Sequence, residues 1–177
     1  MVTSREDFIK KALADYESPL IGYATTFLHD VERARDVVQD TFIRLYQQDI
    51  EKVKDGLKAW LFTVCRNRAL DVIRKEKRIV GLEEEQMARV PSLRRTPSER
   101  VDLEERVSQV HEALARLSEN QREVILLKFV QGLSYEEISK ITELSSGNVG
   151  FLLHTGLKRL RGFLPDDLIQ NITPQTA

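Results

Sequence analysis

The sequence predicts an all-α protein: two small helical domains joined by a flexible linker, the second containing a helix-turn-helix. Strict period-two alternation of Val, Ile, Thr and aromatic residues is nowhere sustained, which argues against strands. Apolar residues recur instead at three- and four-residue steps between recognisable caps. One stretch, 79–100, loses that period and gathers Glu83 to Glu85, Pro91, Arg94, Arg95 and Pro97, the composition of a linker. With only 8 glycines and 5 prolines in 177 residues, breakers are few enough for long helices.

Ser4 ahead of Arg5 caps a first helix, Pro19 is expected to open a second, and Asp30 caps a third. In that third helix Ala34, Val37, Val38, Thr41, Phe42 and Leu45 form one buried stripe, and Asp36, Gln39, Asp40 and Ile43 fall off it. A loop over about 49–56 leads to a long helix from Leu57 to Lys77, after which the linker marks the domain boundary. Val107, Val110, Leu114 and Leu117 then mark a helix that stops near Arg116. Ser118 with Gln121 forms a capping box for a helix over 119–131, Gly132 stops it, and Ser134 with Glu137 caps a short helix over 135–141. A last helix runs from Ser146 to about Phe163. Ile138, Ile141, Leu144, Val149, Leu153, Leu157 and Leu160 would close on one core, the helix-turn-helix plan. The divisions are 1–78, 79–100, 101–165 and a tail over 166–177 that is expected to fray.

Charge narrows the function. The net charge of -1 offers no global pull toward nucleic acid or membrane, so any attraction must be local. It is: residues 52–78 carry nine basic side chains against three acidic, whereas 1–51 carry six against ten and 116–177 balance at seven each. No apolar run approaches the roughly 18 residues of a membrane span, and Met1 to Asp7 does not read as a signal peptide, so a cytoplasmic protein without membrane insertion is expected. Cys65 is the sole cysteine and is read as a small core residue. His29, His111 and His154 lack ligand spacing and are read as surface or cap residues; no metal or other cofactor is expected. Asp36 and Asp40 lie one turn apart, but no Glu-x-x-His motif completes a di-metal site, and no phosphate loop or nucleophile elbow occurs. An enzyme is not expected.

On the 57–77 helix, Leu61, Cys65, Ala69 and Val72 gather on one side, and Arg66, Asn67, Arg74 and Lys77 on the other. Guanidinium and ammonium groups neutralise phosphates and an Asn amide pairs with a base edge, so this face has the chemistry of a nucleic-acid reader. Trp60 and Phe62, with Lys52, Lys54 and Lys58, would suit unstacked bases of a single strand. The competing reading is a solvated helix face beside an ordinary buried Trp.

Four ordered stretches then converge: Asp36-Val37-Val38-Gln39-Asp40-Thr41-Phe42; Ala59-Trp60-Leu61 followed by Arg66-Asn67-Arg68-Ala69-Leu70-Asp71; Leu117 to Glu123; and Gly132 to Ile138. Over about residues 8–163 the sequence resembles a bacterial RNA polymerase sigma factor of the extracytoplasmic-function (ECF) type. The resemblance implies that Asp36, Gln39, Asp40 and Phe42 bind core RNA polymerase. It also implies that the first domain reads and opens promoter DNA at the minus-ten element, Asn67 and the 49–56 loop holding a flipped base. It implies that the helix from Ser146 lies in the major groove of the minus-thirty-five element, and that an anti-sigma factor would clamp the closed form and hide both DNA surfaces. Here the sequence departs from the family, whose members carry several cations along the exposed side of this helix; this chain has Gly150, Phe151, Leu152, Thr155 and Leu157 at those places. Readout then leans on Ser146, Asn148 and His154, with Lys158 among the cations that remain. Phe151 and Leu152 form an apolar strip expected to pack on the first domain or on a partner, in preference to meeting thymine methyl groups. Two rivals stay open: a stand-alone helix-turn-helix regulator, and an all-helical adaptor that binds only proteins.

Overall fold

The computed structural model describes residues 5–80, 101–166 and 168. Among them every regular element is a helix: α1 (Arg5–Leu28), α2 (Val31–Gln47), α3 (Ile50–Val53) with a 3-10 turn at Lys54–Gly56, α4 (Leu57–Val80), α5 (Val101–Ala115), α6 (Glu119–Ile125) with a π segment at Leu126–Val130, α7 (Tyr135–Thr142) and α8 (Ser146–Phe163). Helices α1–α4 fall in one compact unit, and α5, α6, α8 and most of α7 in another. The expected linker starts inside α4, and the rest of it, 81–100, lies outside the described residues, as does the tail over 169–177. No helix among the described residues is long and apolar enough to cross a membrane.

In the first unit Pro19 does not open a new helix; it sits inside α1. A proline in a helix interior costs about 3 kcal/mol. Leu20, Tyr23, Ala24 and Leu28 nevertheless continue the buried face begun by Ala12, and each large apolar side chain so buried returns about 1.5–3 kcal/mol. Packing outweighs the lost hydrogen bond. His29, at φ 53, closes α1 in a left-handed conformation, and Asp30 caps α2 by accepting from the Arg33 amide at 3.1 Å. The buried stripe of α2 is the predicted one, Ala34, Val37, Val38, Thr41, Phe42 and Leu45.

Residues 49–56 are not a plain loop. Asp49 caps the single turn of α3 by accepting from the Glu51 amide, and buried Val53 anchors that turn. Helix α4 then buries Leu61, Phe62, Cys65 and Ala69 completely. Phe62 packs against Tyr23 of α1 with ring centroids 5.1 Å apart and planes tilted by 57°, and two ion pairs, Arg68–Asp40 at 2.7 Å and Arg33–Glu76, tie α4 to α2.

The second unit closes through its helix ends. Arg122 donates from Nε to the Leu114 carbonyl at 3.0 Å and from Nη2 to those of Ala115 at 3.0 Å and Leu117 at 3.2 Å, which satisfies carbonyls that α5 leaves open at its C-terminus. Both predicted capping boxes are present, Ser118 with Gln121 and Ser134 with Glu137. The helix expected over 119–131 changes register at Leu126, where i to i+5 bonding widens it; Leu127 stays buried and Phe129 and Val130 stand outward. Gly132 adopts φ 67 after it, a left-handed stop that favours glycine. Ala113, Leu164 and Leu168 form a satellite core with Phe163, whose ring lies 3.9 Å from the Arg116 guanidinium.

Candidate nucleic-acid interface

Burying Leu61, Cys65 and Ala69 turns the opposite side of α4 outward. Asn67, Arg74 and Lys77 are exposed there and Arg66 is half-buried. From Arg66 to Lys77 is about 16 Å along the helix, the length of several stacked bases. Arg74 is paired with Asp71 at 3.3 Å, but both side chains are largely exposed. Such a pair stabilises a helix by about 0.2–0.5 kcal/mol, too little to hold Arg74 back from a phosphate. Arg68 points the other way, into its pair with Asp40.

The aromatic part of the expected site needs correction. Trp60 is half-buried and keeps an accessible flank, but Phe62 is wholly inside the core and cannot stack on a base. Lys52 and Lys54 are exposed; Lys54 lies 2.5 Å from Glu51, and the hydrogen bond to that carboxylate holds its pKa above the usual lysine value. The Cys65 thiol is pushed up to about 12 by burial, against the lowering effect of its hydrogen bond with Thr41, so it is an inert core group.

On α2 the structure separates the four residues expected at a polymerase contact. Asp36 and Gln39 are exposed, and Asp40 is shared with Arg68. Phe42 belongs to the core at 7% exposure and contributes only to the floor of a shallow apolar groove with Ile9, Leu13, Val38, Ile43 and Tyr46. Ile43 and Tyr46, 56% and 60% exposed, are the apolar side chains that sequence reasoning missed there. The available signal was an isoleucine that falls off the buried stripe of its own helix.

The exposed face of α8 also differs from expectation. Gly150, Leu152, Thr155 and Leu157 are half-buried, and of the five places named only Phe151 is exposed. Thr155 accepts from Gln121 Nε2 at 3.2 Å, and Arg159 donates to Gln121 Oε1 at 3.3 Å. Gly156 is buried where α8 meets α6; a Cβ there would lie 3.0 Å from Ile125 Cδ1. Outward on α8 are Ser146, Gly147, Asn148, Phe151, His154 and Lys158, followed by Arg159, Arg161 and Gly162 in its last turns, with Ser145 capping the helix. Residues 146–163 contain no acidic side chain, so this face meets no repulsion from its own helix at a phosphate backbone.

Residues 13–79 match the family model of sigma-70 region 2, and residues 108–160 that of sigma-70, region 4. The chain is 30% identical over 151 residues to the ECF RNA polymerase sigma factor SigX of Bacillus subtilis, covering 82% of this chain and 78% of that protein. It is 31% identical over 161 residues to the ECF RNA polymerase sigma factor SigL of Mycobacterium tuberculosis, covering 88% and 89%. The chain belongs to the ECF sigma factors. Among solved structures this ECF sigma factor is similar to the sigma factor RpoE of Bartonella quintana, crystallised with the anti-sigma factor NepR, with TM-score 0.64 and 28% identity over 92% of this chain and 99% of that one. The region 2 match coincides with most of α1–α4, and the region 4 match takes in the Arg122 and Gln121 hub and the turn between α7 and α8.

Proposed function

We propose that this protein is an alternative sigma factor, which binds core RNA polymerase and directs promoter recognition and the start of transcription. The carrying observation is the pair of sigma-70 matches, region 2 then region 4, in one chain. In this reading residues 1–78 dock on polymerase and open the minus-ten element, 79–100 link the domains, and 101–165 bind the minus-thirty-five element as duplex. Exposed Asp36 and Gln39, with Asp40, give the polymerase contact its charge and polarity, and Ile43 and Tyr46 beside them add apolar area. Asn67 and the flank of Trp60 receive a base extruded from the opened strand, and Arg66, Arg74 and Lys77 hold its phosphates. Extruding a base costs a few kcal/mol, which stacking, pairing and phosphate contacts together offset. Asn148, His154, Ser146 and Lys158 face the duplex element from α8. The protein makes and breaks no covalent bond; polymerase does, in the cytoplasm. The likeness to RpoE supports an anti-sigma factor as a further partner.

Run-off transcription tests the reading. Core polymerase with this chain initiates at the promoter of its own regulon, and core polymerase alone does not. Footprints on that promoter from the chain without polymerase would favour the stand-alone regulator, and a chain that never joins core polymerase would leave only the adaptor.

A further inference from the structure

We infer that Phe151 sets base specificity in α8: its ring meets the 5-methyl group of a thymine in the major groove of the duplex promoter element. The inference rests on the reading of α8 as the groove helix and names the residue that does the discriminating. Phe151 is 64% exposed in the middle of the outward face, one turn after Asn148 and one turn before His154. Those three residues span about 9 Å along the helix, which three base pairs match. Leu152 beside it is half-buried, so of the two apolar side chains expected on this face Phe151 is the one that stands fully outward. A protein-docking patch needs several hundred Å² of contiguous apolar surface; a single ring among Asn148, His154 and Lys158 does not make one. Of the other exposed apolar side chains described in this unit, Val107 stands on α5 and Phe129 and Val130 on the π segment, while Tyr135, whose ring lies 3.5 Å from where a Cβ on Gly150 would sit, is engaged by the Lys128 ammonium at 5.3 Å.

At 64% exposure the Phe151 ring is open to an approaching base edge. Methyl contact is also the readout that remains when cations are scarce on the face: an aromatic ring distinguishes thymine by its methyl group and gains nothing from a phosphate. This part of promoter affinity is therefore insensitive to salt.

Holoenzyme assembled from core polymerase and the full chain, wild type or Phe151→Ala, is challenged with its promoter carrying uracil for thymine at one minus-thirty-five position at a time. Uracil lacks only the methyl group. At one position the wild type loses about four-fold in affinity, the value of burying one methyl group, and Phe151→Ala shows no difference between the two bases. Equal sensitivity of both proteins at every position overturns the inference. A Phe151→Ala protein that assembles poorly with polymerase while keeping its thymine preference overturns it in favour of a protein partner. Asn148→Ala and Lys158→Ala separate the levels: if neither alters binding to the element, the placement of α8 in the groove has failed; if they do and Phe151→Ala does not, only the role of Phe151 has.

Discussion

The two units build helical cores of similar kind but secure them differently. In the first, long helices pack side chain on side chain: Phe62 on Tyr23, Cys65 and Leu61 beneath, and ion pairs joining α2 to α4. In the second, helix ends are what is fixed: Arg122 closes on the open carbonyls of α5, and the short helices α6 and α7 each start in a capping box. The charge differs in the same way. Residues 52–78 carry a net +6 that the acidic stretch before it masks in the total, whereas 116–177 are neutral. In the proposed reading one unit holds phosphates strongly and the other presents a few side chains at a defined angle. Interior packing should therefore dominate the stability of the first, and contacts that fix helix geometry should matter more in the second.

The largest break in that comparison comes from Phe62→Ala. Removing a fully buried ring should destabilise the first unit by about 3–5 kcal/mol. In calorimetry of the full chain the transition of the first unit moves down and that of the second stays. A joint shift of both transitions would show that the units do not unfold separately.

The next effect is on pH. The thiol of Cys65 titrates at about 12 when folded and near 8.5 when unfolded. The folded state therefore holds its proton more tightly. Stability from this group is complete below the unfolded pKa and is lost as pH rises toward the folded one. Denaturant unfolding should show the first unit weaker by about 2 kcal/mol at pH 10 than at pH 7, a slope that Cys65→Ala lacks.

How far these features could be read from the chain depends on whether a local rule met a competing tertiary one. The stripe of α2, the capping boxes and the stop at Gly132 followed rules that act over three or four residues, and the structure keeps them. Pro19 broke a local rule because the buried face it interrupts is anchored on both sides. Phe62 was misplaced for a related reason: one position beyond Leu61, it fills the wide core beneath Tyr23, and a four-residue stripe underestimates how much of α4 is covered. The cationic face of α4 was legible because charges are excluded from cores almost without exception. The engagement of Thr155 and Gly156 with α6 was not, because it depends on how closely α6 approaches α8.

Charge reversal sharpens the comparison at the level of DNA. Arg74→Glu with Lys77→Glu removes two candidate phosphate contacts from α4, each worth about 0.7 in the slope of log affinity against log salt on a single strand. Open-complex formation should fall about ten-fold or more at moderate salt, and the slope should flatten by about 1.4. Lys158→Ala in α8 should shift the slope by no more than about 0.9, one duplex contact. An unchanged slope in the double variant would remove α4 from the DNA interface.

The smallest effect isolates helix geometry in the second unit. Replacing an exposed glycine in a helix by alanine normally stabilises by about 1 kcal/mol. Gly162 has open space around it, so Gly162→Ala should gain up to that amount. At Gly156 the new methyl group would meet Ile125 Cδ1 at 3.0 Å and Gln121 Cβ at 3.3 Å. The propensity gain is then offset by pushing α8 away from α6, and overpacking costs about 1–3 kcal/mol. Gly156→Ala should therefore be neutral or destabilising in denaturant unfolding. It should also tilt the exposed face of α8 and weaken binding to the duplex element, whereas Gly162→Ala leaves that binding unchanged. Equal stabilisation by both substitutions would mean that Ile125 yields freely, and that the angle of α8 is not fixed by this contact.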